Sequence, residues 1–70
     1  MIKDRLKECR LKNGLTQKQV AQSLGVTLPA VCQYEKGVRE PSLELLIRYC
    51  KLFGVSSDYL LGLSNNKQVN

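Results

Sequence analysis

The side chains that could do chemistry in this sequence are an amide and a few cations, and the chemistry they suit is noncovalent. The Gln33 amide donates and accepts hydrogen bonds side by side, which is what pairing with the edge of an adenine base requires. Lys36 and Arg39 follow within six residues and carry charges that suit phosphate groups. A net charge of +5 and a pI near 9.4 favour an anionic partner, of which nucleic acid is the obvious polymer. Charge alone leaves a merely soluble basic domain equally open.

Enzymatic and metal chemistry are disfavoured by what the sequence lacks. It has no histidine, and its three cysteines, Cys9, Cys32 and Cys50, lack the spacing of zinc ligands. Cys32 therefore has no histidine partner for nucleophilic catalysis, and we expect no enzyme activity, cofactor or metal. Cys9 and Cys50 fit apolar stripes, which predicts reduced core residues in a cytoplasmic protein. We find no signal peptide and no apolar run of about 18 residues, so neither secretion nor membrane spanning is expected.

Residues 16–37 predict two short helices joined by a tight turn, with the second helix presented to the outside. Gly25 suits the left-handed conformation that ends a helix, Val26 should pack inward, and Thr27 should cap the next helix. Apolar residues recur at helical spacing on both sides of this turn: Val20, Ala21, Leu24, Val31 and Tyr34.

The whole chain predicts an all-α domain. A glycine, an apolar residue and a hydroxyl residue recur at 14–16, 25–27 and 54–56, and each triplet suits the end of one helix and the cap of the next. No segment alternates with period two, so no strand is expected. Residues 1–63 should form one domain, and the polar segment 64–70 should fray. The predicted helices are Ile2–Asn13, Gln17–Leu24, Leu28–Lys36, Leu43–Phe53 and Ser57–Leu61.

Periodicity also predicts which faces of the outer helices are buried. In the first helix Ile2, Leu6 and Cys9 should point inward, and the outward residues Lys3, Arg5, Lys7 and Lys12 are more typical of a solvated face than of a binding face. The apolar face predicted for the fourth helix comprises Leu43, Leu46, Ile47, Cys50 and Phe53.

Residues 16–37 resemble the helix-turn-helix of the Cro and phage-repressor type of transcriptional regulator. Counted from Gln17, Ala21 is fifth and Gly25 is ninth, and the resemblance extends from Ile2 to Leu63 through GLTQ, EKG and PSLELL. It implies a five-helix lambda-repressor-like DNA-binding fold. It also implies a sequence-specific regulator of prokaryotic, phage or mobile-element origin. Such a protein would bind a near-palindromic operator in double-stranded DNA as a dimer, as a repressor more than as an activator.

The resemblance further implies which residues contact DNA. Base contacts would come from the start of the recognition helix and its cap: Thr27, Leu28, Pro29, Ala30 and Gln33. Phosphate contacts would come from the flanks: Thr16, Gln17, Lys36, Gly37 and Arg39. Apolar side chains at 28–30 cannot hydrogen-bond to bases, which favours contact with thymine methyl groups and readout of DNA shape. The alternatives are a solvated Gln33, a protein contact at 28–29 and idle surface charges at 36 and 39.

Two further sets of residues are implied. An Arg10–Glu35 ion pair would join the first helix to the end of the recognition helix, unless these are two independent surface charges. A dimer surface would comprise Phe53, Tyr59, Leu61 and Leu63, for which plain core packing is the alternative. Two other functions stay open: a protein-interaction module, such as an antitoxin or coactivator, and a non-specific architectural DNA binder.

Overall fold

A computed structural model of the chain describes residues 2–67 and confirms the all-α, five-helix fold. The helices are α1 (Ile2–Lys12), α2 (Gln17–Leu24), α3 (Leu28–Lys36), α4 (Leu43–Phe53) and α5 (Ser57–Leu60). Helices α1 and α5 each end one residue before the predicted boundary, and no strand occurs in the described range. None of the helices in residues 2–67 combines the length and apolar character that crossing a bilayer requires.

Side-chain caps explain where α2 to α5 begin. The hydroxyls of Thr16, Thr27, Ser42 and Ser56 each accept the backbone N–H three residues later, at 3.0–3.3 Å. At Thr16 the cap is reciprocal, because Gln19 Oε1 accepts the Thr16 N–H at 2.8 Å. Such a cap contributes about 1 kcal/mol to stability, so these boundaries are set locally by the sequence.

The core is shared by all five helices, and it fixes the orientation of α3. Tyr49 lies edge-on to Tyr34, with ring centroids 6.4 Å apart, and 5.6 Å from the Phe53 centroid. Since Val31 and Tyr34 are buried, the opposite face of α3 is turned to solvent. The largest fully buried side chains are Leu6, Val20, Leu24, Val31, Tyr49 and Leu60.

The apolar face predicted for α4 is partly wrong. Leu46 and Phe53 are buried as expected, but Leu43 and Ile47 are 74% and 47% exposed. Tyr49, which was not on the predicted face, occupies the centre of the core instead. The helix is rotated so that this aromatic ring lies between two others, and it leaves an apolar row at positions 43 and 47 in contact with water.

The surface predicted for dimerisation is also corrected in part. Phe53 and Tyr59 are 8% and 3% exposed, so their side chains belong to the core of the monomer. They are covered because the fold closes α4 and α5 over them, as the alternative of plain core packing required. Leu61 and Leu63 are exposed and remain available to a partner.

Residues 64–67 return to the domain, unlike the frayed segment that the sequence predicted. The Ser56 N–H donates to the Lys67 carbonyl at 2.8 Å, and the Ser56 hydroxyl donates to the Asn66 carbonyl at 3.2 Å. Arg5 Nη2 also donates to Asn65 Oδ1 at 3.0 Å. These bonds join the segment to the start of α5 and to α1. The prediction for residues 68–70 lies outside the described residues.

Candidate nucleic-acid interface

The N-terminal residues of helix α3 are exposed to solvent, and the opposite face of the helix is packed in the core. Pro29 lies in the first turn, where a backbone N–H has no intrahelical partner, so it does not disturb the helix. Thr27 caps the helix by accepting the Ala30 N–H at 3.3 Å. Leu28 is 42% exposed. The exposed side chains of α3 and its cap are Thr27, Leu28, Pro29, Gln33 and Lys36.

The base contact implied for Ala30 requires an outward side chain, and the structure contradicts that orientation. Its side chain is only 7% exposed and belongs to the core, on the same face as Val31 and Tyr34. A methyl group is compatible with either face of a helix, so the residue type alone could not distinguish the two orientations. Ala30 therefore packs α3 against the rest of the domain, and the exposed face of the helix does not include it.

Arg10 and Glu35 form a nearly buried ion pair that joins α1 to α3. Arg10 Nε lies 2.7 Å from Glu35 Oε2 and Nη2 lies 3.1 Å from Oε1, so the contact is bidentate. The two side chains are 11% and 4% exposed. Arg10 Nη1 also donates to the Leu15 carbonyl at 3.0 Å, which ties the segment before α2 to the same guanidinium group. The pair fixes how α3 sits on α1.

The Gln17 side chain extends this network, which sequence reasoning missed. Its Nε2 donates to Glu35 Oε1 at 3.2 Å, and its Oε1 accepts the Cys32 thiol at 3.1 Å. Both ends of the amide are therefore used inside the protein. The first intrahelical bond of α2 runs from the Val20 N–H to the Thr16 carbonyl, so the N–H groups of Gln17 and Lys18 have no partner within the helix. A phosphate contact at this position would therefore use the backbone. No local signal in the sequence pairs positions 17 and 32.

The loop after α3 carries the other residues predicted to contact phosphate. Gly37 ends the helix at φ 76°, in the left-handed region, and its N–H donates to the Gln33 and Tyr34 carbonyls. The Arg39 guanidinium lies 5.6 Å from the centroid of the Tyr34 ring, so a cation–π contact holds it beside the residue that anchors α3. Lys36, in the last turn, is exposed.

A groove of about 600 Å³ brings part of this set together. Thr16 and Gln17 at the start of α2 line it together with Lys36 at the end of α3, and Lys7 of α1 adds another cation. The positive end of the α2 dipole and these ammonium groups favour an anion at the same place. Gly37 and Arg39 lie beyond the residues that line this groove.

The cysteines and carboxylates show no grouping suited to a metal within residues 2–67. All three cysteines are free thiols. Burial raises the pKa of the Cys9 and Cys50 thiols, which keeps them protonated and unreactive near neutral pH.

Comparison with known proteins assigns the chain to a family. The Helix-turn-helix family model matches residues 6–60. The uncharacterized HTH-type transcriptional regulator YqaE of Bacillus subtilis (strain 168) is 44% identical over 69 residues, which cover 99% of this chain and 60% of that protein. The HTH-type transcriptional regulator ImmR of the same organism is 43% identical over 58 residues, which cover 83% of this chain and 46% of that protein.

A solved structure agrees with this assignment. The P22 c2 repressor protein, crystallised in complex with synthetic operator 9T in the presence of Tl⁺, has a TM-score of 0.86 and 30% identity, covering 91% of this chain and 97% of that chain. The chain belongs to the helix-turn-helix family, and within it to the Cro and phage-repressor type. It spans between 46% and 60% of the length of YqaE and ImmR.

Proposed function

We propose that this chain binds double-stranded DNA in a sequence-specific way and represses transcription in the cytoplasm of a prokaryotic cell. The observation that carries the proposal is the exposed start of α3, held from behind by the buried Val31 and Tyr34. A major groove admits one α-helix, and residues near the N-terminus of that helix reach the base edges. The similar P22 c2 repressor was crystallised with an operator, which supports the same mode of binding here.

Base recognition would combine one polar side chain with apolar contacts. Gln33 is exposed and would pair bidentately with adenine. Leu28 and Pro29 are exposed without hydrogen-bonding groups, so they would pack on thymine methyl groups, with Thr27 beside them. Ala30 is too deeply buried to reach a base and is not among the proposed contacts. With so few polar contacts, the sequence-dependent shape of the duplex would supply part of the specificity.

Phosphate contacts would hold the duplex on both sides of α3. The first-turn N–H groups of α2, at Gln17 and Lys18, form the positive end of the helix dipole and would donate to a phosphate oxygen. The Thr16 hydroxyl accepts the Gln19 N–H, so its own proton stays available to a phosphate oxygen. Lys36, Arg39 and the backbone at 37 would bind the sugar-phosphate chain at the other end.

Binding as a homodimer would match the proposed operator. Two recognition helices about 34–36 Å apart would read two half-sites of a near-palindrome. Exposed apolar side chains on the side of α4 and α5 support a subunit interface there: Leu43, Ile47, Leu61 and Leu63.

Selection of bound sites from a random DNA pool, followed by salt titration, tests the proposal. Selection should return a near-palindromic sequence. The affinity ratio between that operator and random DNA should be of the order of 10³ or more. Both affinities should fall with rising salt as counterions are released. Salt dependence without that ratio would indicate an architectural binder, and the absence of DNA binding would indicate a protein-interaction module.

Substitution of Gln33 tests the polar base contact. Gln33→Ala should cost about 1–3 kcal/mol of binding free energy on the selected operator and relax base preference at one position. Gln22→Ala, at an exposed glutamine of α2, is the matched control and should change neither quantity. If both variants bind and select sites as the unmodified chain does, the role given to Gln33 is wrong.

A further inference from the structure

We infer that Lys3, on α1, is a further phosphate-binding residue of the DNA interface, an inference that rests on the function proposed above. The aliphatic part of Lys3 lies across Gly37, the first residue after the recognition helix. A Cβ atom built on Gly37 would lie 2.7 Å from Lys3 Cδ and 3.7 Å from both Cβ and Cε. The Lys3 ammonium group is a single bond of about 1.5 Å beyond Cε, so it lies beside the loop that begins at Gly37.

The charges near this loop make Lys3 available to an anion. Within residues 2–67, no carboxylate pairs with Lys3, whereas Lys12 is paired with Glu8 at 3.1 Å and Arg48 with Glu44 at 2.8 Å. Lys3 therefore has no ion-pair partner among these residues.

Two other cations belong to the same stretch of surface. Lys36 immediately precedes Gly37, and Arg39 follows it by two residues. The three cations outnumber the one carboxylate of the loop, Glu40, so this stretch of surface attracts an anion. A phosphodiester of the DNA backbone has the charge and the acceptor oxygens for this position.

The contact with Lys3 gives Gly37 a second constraint besides its conformation. The left-handed φ of 76° already disfavours a side chain at this position. A Cβ atom would also meet the Lys3 stem at 2.7 Å and displace it. The sequence alone places Lys3 on a solvated face of α1, because nothing in it shows that positions 3 and 37 touch.

Salt titration of the Lys3→Gln variant, as the full chain, tests this inference. Affinities for the selected operator and for random DNA should fall by the same factor. The slope of log K against log salt should become shallower by about 0.9, the value for one phosphate contact. Lys51→Gln is the matched control, because it removes the same charge from an exposed site on α4, beside α5, and should leave the slope unchanged. Circular dichroism would verify that both variants are folded.

Three outcomes would overturn the inference. If Lys3→Gln and Lys51→Gln have the same slope and affinity as the unmodified chain, Lys3 binds no phosphate, and the proposed function stands. If the loss is confined to the operator, Lys3 contacts a base instead. If the unmodified chain binds neither DNA, the inference fails together with the proposed function.

Discussion

Two clusters of charged side chains join α1 to other helices, and they differ in their exposure to water. Toward α3, Arg10 and Glu35 are 11% and 4% exposed. Toward α5, Lys12 and Glu8 are 56% and 41% exposed, and Glu8 also accepts the Tyr59 hydroxyl at 2.6 Å. Water screens the second cluster and barely reaches the first. The α3 cluster should therefore set the position of the recognition helix, while the α5 cluster adds little to stability.

The buried cluster is tolerated because its hydrogen bonds are largely satisfied. Glu35 accepts from Arg10 through both oxygens and from Gln17 through one, and Arg10 has the Leu15 carbonyl as a further acceptor. A buried ion pair offsets its desolvation only with such partners. Each partner that is removed should thus have a measurable effect, and the effects should decrease with distance from the pair.

Arg10→Met should have the largest effect in either cluster. It leaves the Glu35 carboxylate buried without its cation, which should lower the free energy of unfolding by about 3 kcal/mol or more. That is a large share of the stability of so small a domain. Urea denaturation followed by circular dichroism would measure the loss.

The double variant Arg10→Met, Glu35→Gln is the control for the charge. It removes the unpaired carboxylate, so part of the stability should return. If Arg10→Met were as stable as the unmodified chain, the buried cluster would contribute no more to stability than the exposed one.

Gln17→Ala should have the next largest effect, of about 1–2 kcal/mol, because it removes a hydrogen bond to the Glu35 carboxylate and leaves the Cys32 thiol without its acceptor. The salt dependence of DNA binding should not change, since the proposed phosphate contact at this position uses the backbone N–H. Gln22→Ala, on the exposed side of the same helix, should leave stability unchanged. A shallower salt slope for Gln17→Ala with unchanged stability would instead make its side chain the phosphate ligand.

Tyr49→Phe should be neutral or should stabilise the protein by about 1 kcal/mol. Within residues 2–67, the Tyr49 hydroxyl is the buried side-chain polar atom that has no hydrogen-bond partner. Its removal ends an uncompensated desolvation without leaving a cavity in the ring stack. Thermal unfolding of the two proteins would measure the difference. A loss of 1 kcal/mol or more would mean that this hydroxyl has a partner, such as a buried water molecule.

The difference in stability between Tyr49→Phe and the unmodified chain should be largest at alkaline pH. Burial, and then the nearby Glu35 carboxylate, raise the pKa of Tyr49 above its ordinary value. The folded protein therefore keeps the Tyr49 proton, while the unfolded chain loses it above about pH 10. The stability from this group is present below that pH and is lost as the pH rises further. The unmodified protein should thus lose stability faster than Tyr49→Phe above about pH 10.

Features set by neighbours in the sequence were predictable. The triplets at 14–16, 25–27 and 54–56 fix helix ends through a left-handed glycine and a hydroxyl cap, and the predicted bounds of α2, α3 and α4 agree with the structure. The buried face of α2 followed from apolar spacing, as did the burial of Val31 and Tyr34 on α3, whereas that of Ala30 did not. The fold could therefore be predicted from local sequence signals together with the resemblance to a family.

Features set by packing between distant residues were not predictable. Tyr49 replaces Ile47 in the core because two other aromatic rings meet there, and α4 has apolar residues on more than one face. The contacts of Gln17 with Cys32 and of Lys3 with Gly37 join residues on different helices or loops. Sequence spacing describes one element at a time, so these parts of the candidate site required coordinates.

Glu8→Gln should have the smallest effect, and that effect should depend on pH. The Tyr59 hydroxyl, and then Lys12, donate hydrogen bonds that hold the pKa of the Glu8 carboxyl below its ordinary value. The stability from this group is present above the ordinary carboxyl pKa and is lost as the pH falls through the lowered value. The difference between the unmodified chain and Glu8→Gln should be largest near neutral pH and should disappear as the pH falls through the lowered pKa of Glu8.

An NMR titration of the Glu8 carboxyl separates its two donors and completes the comparison of the clusters. In Tyr59→Phe the ring remains in the core while the hydroxyl is lost, so the pKa of Glu8 should move up toward its ordinary value. Lys12→Gln should also move it up, because that change removes both a hydrogen bond and a nearby positive charge. Since Lys12 and Glu8 are exposed to water, the stability loss in Lys12→Gln should be well below the loss for Arg10→Met. A loss in Lys12→Gln as large as that in Arg10→Met would show that exposure is not what distinguishes the two sides of α1.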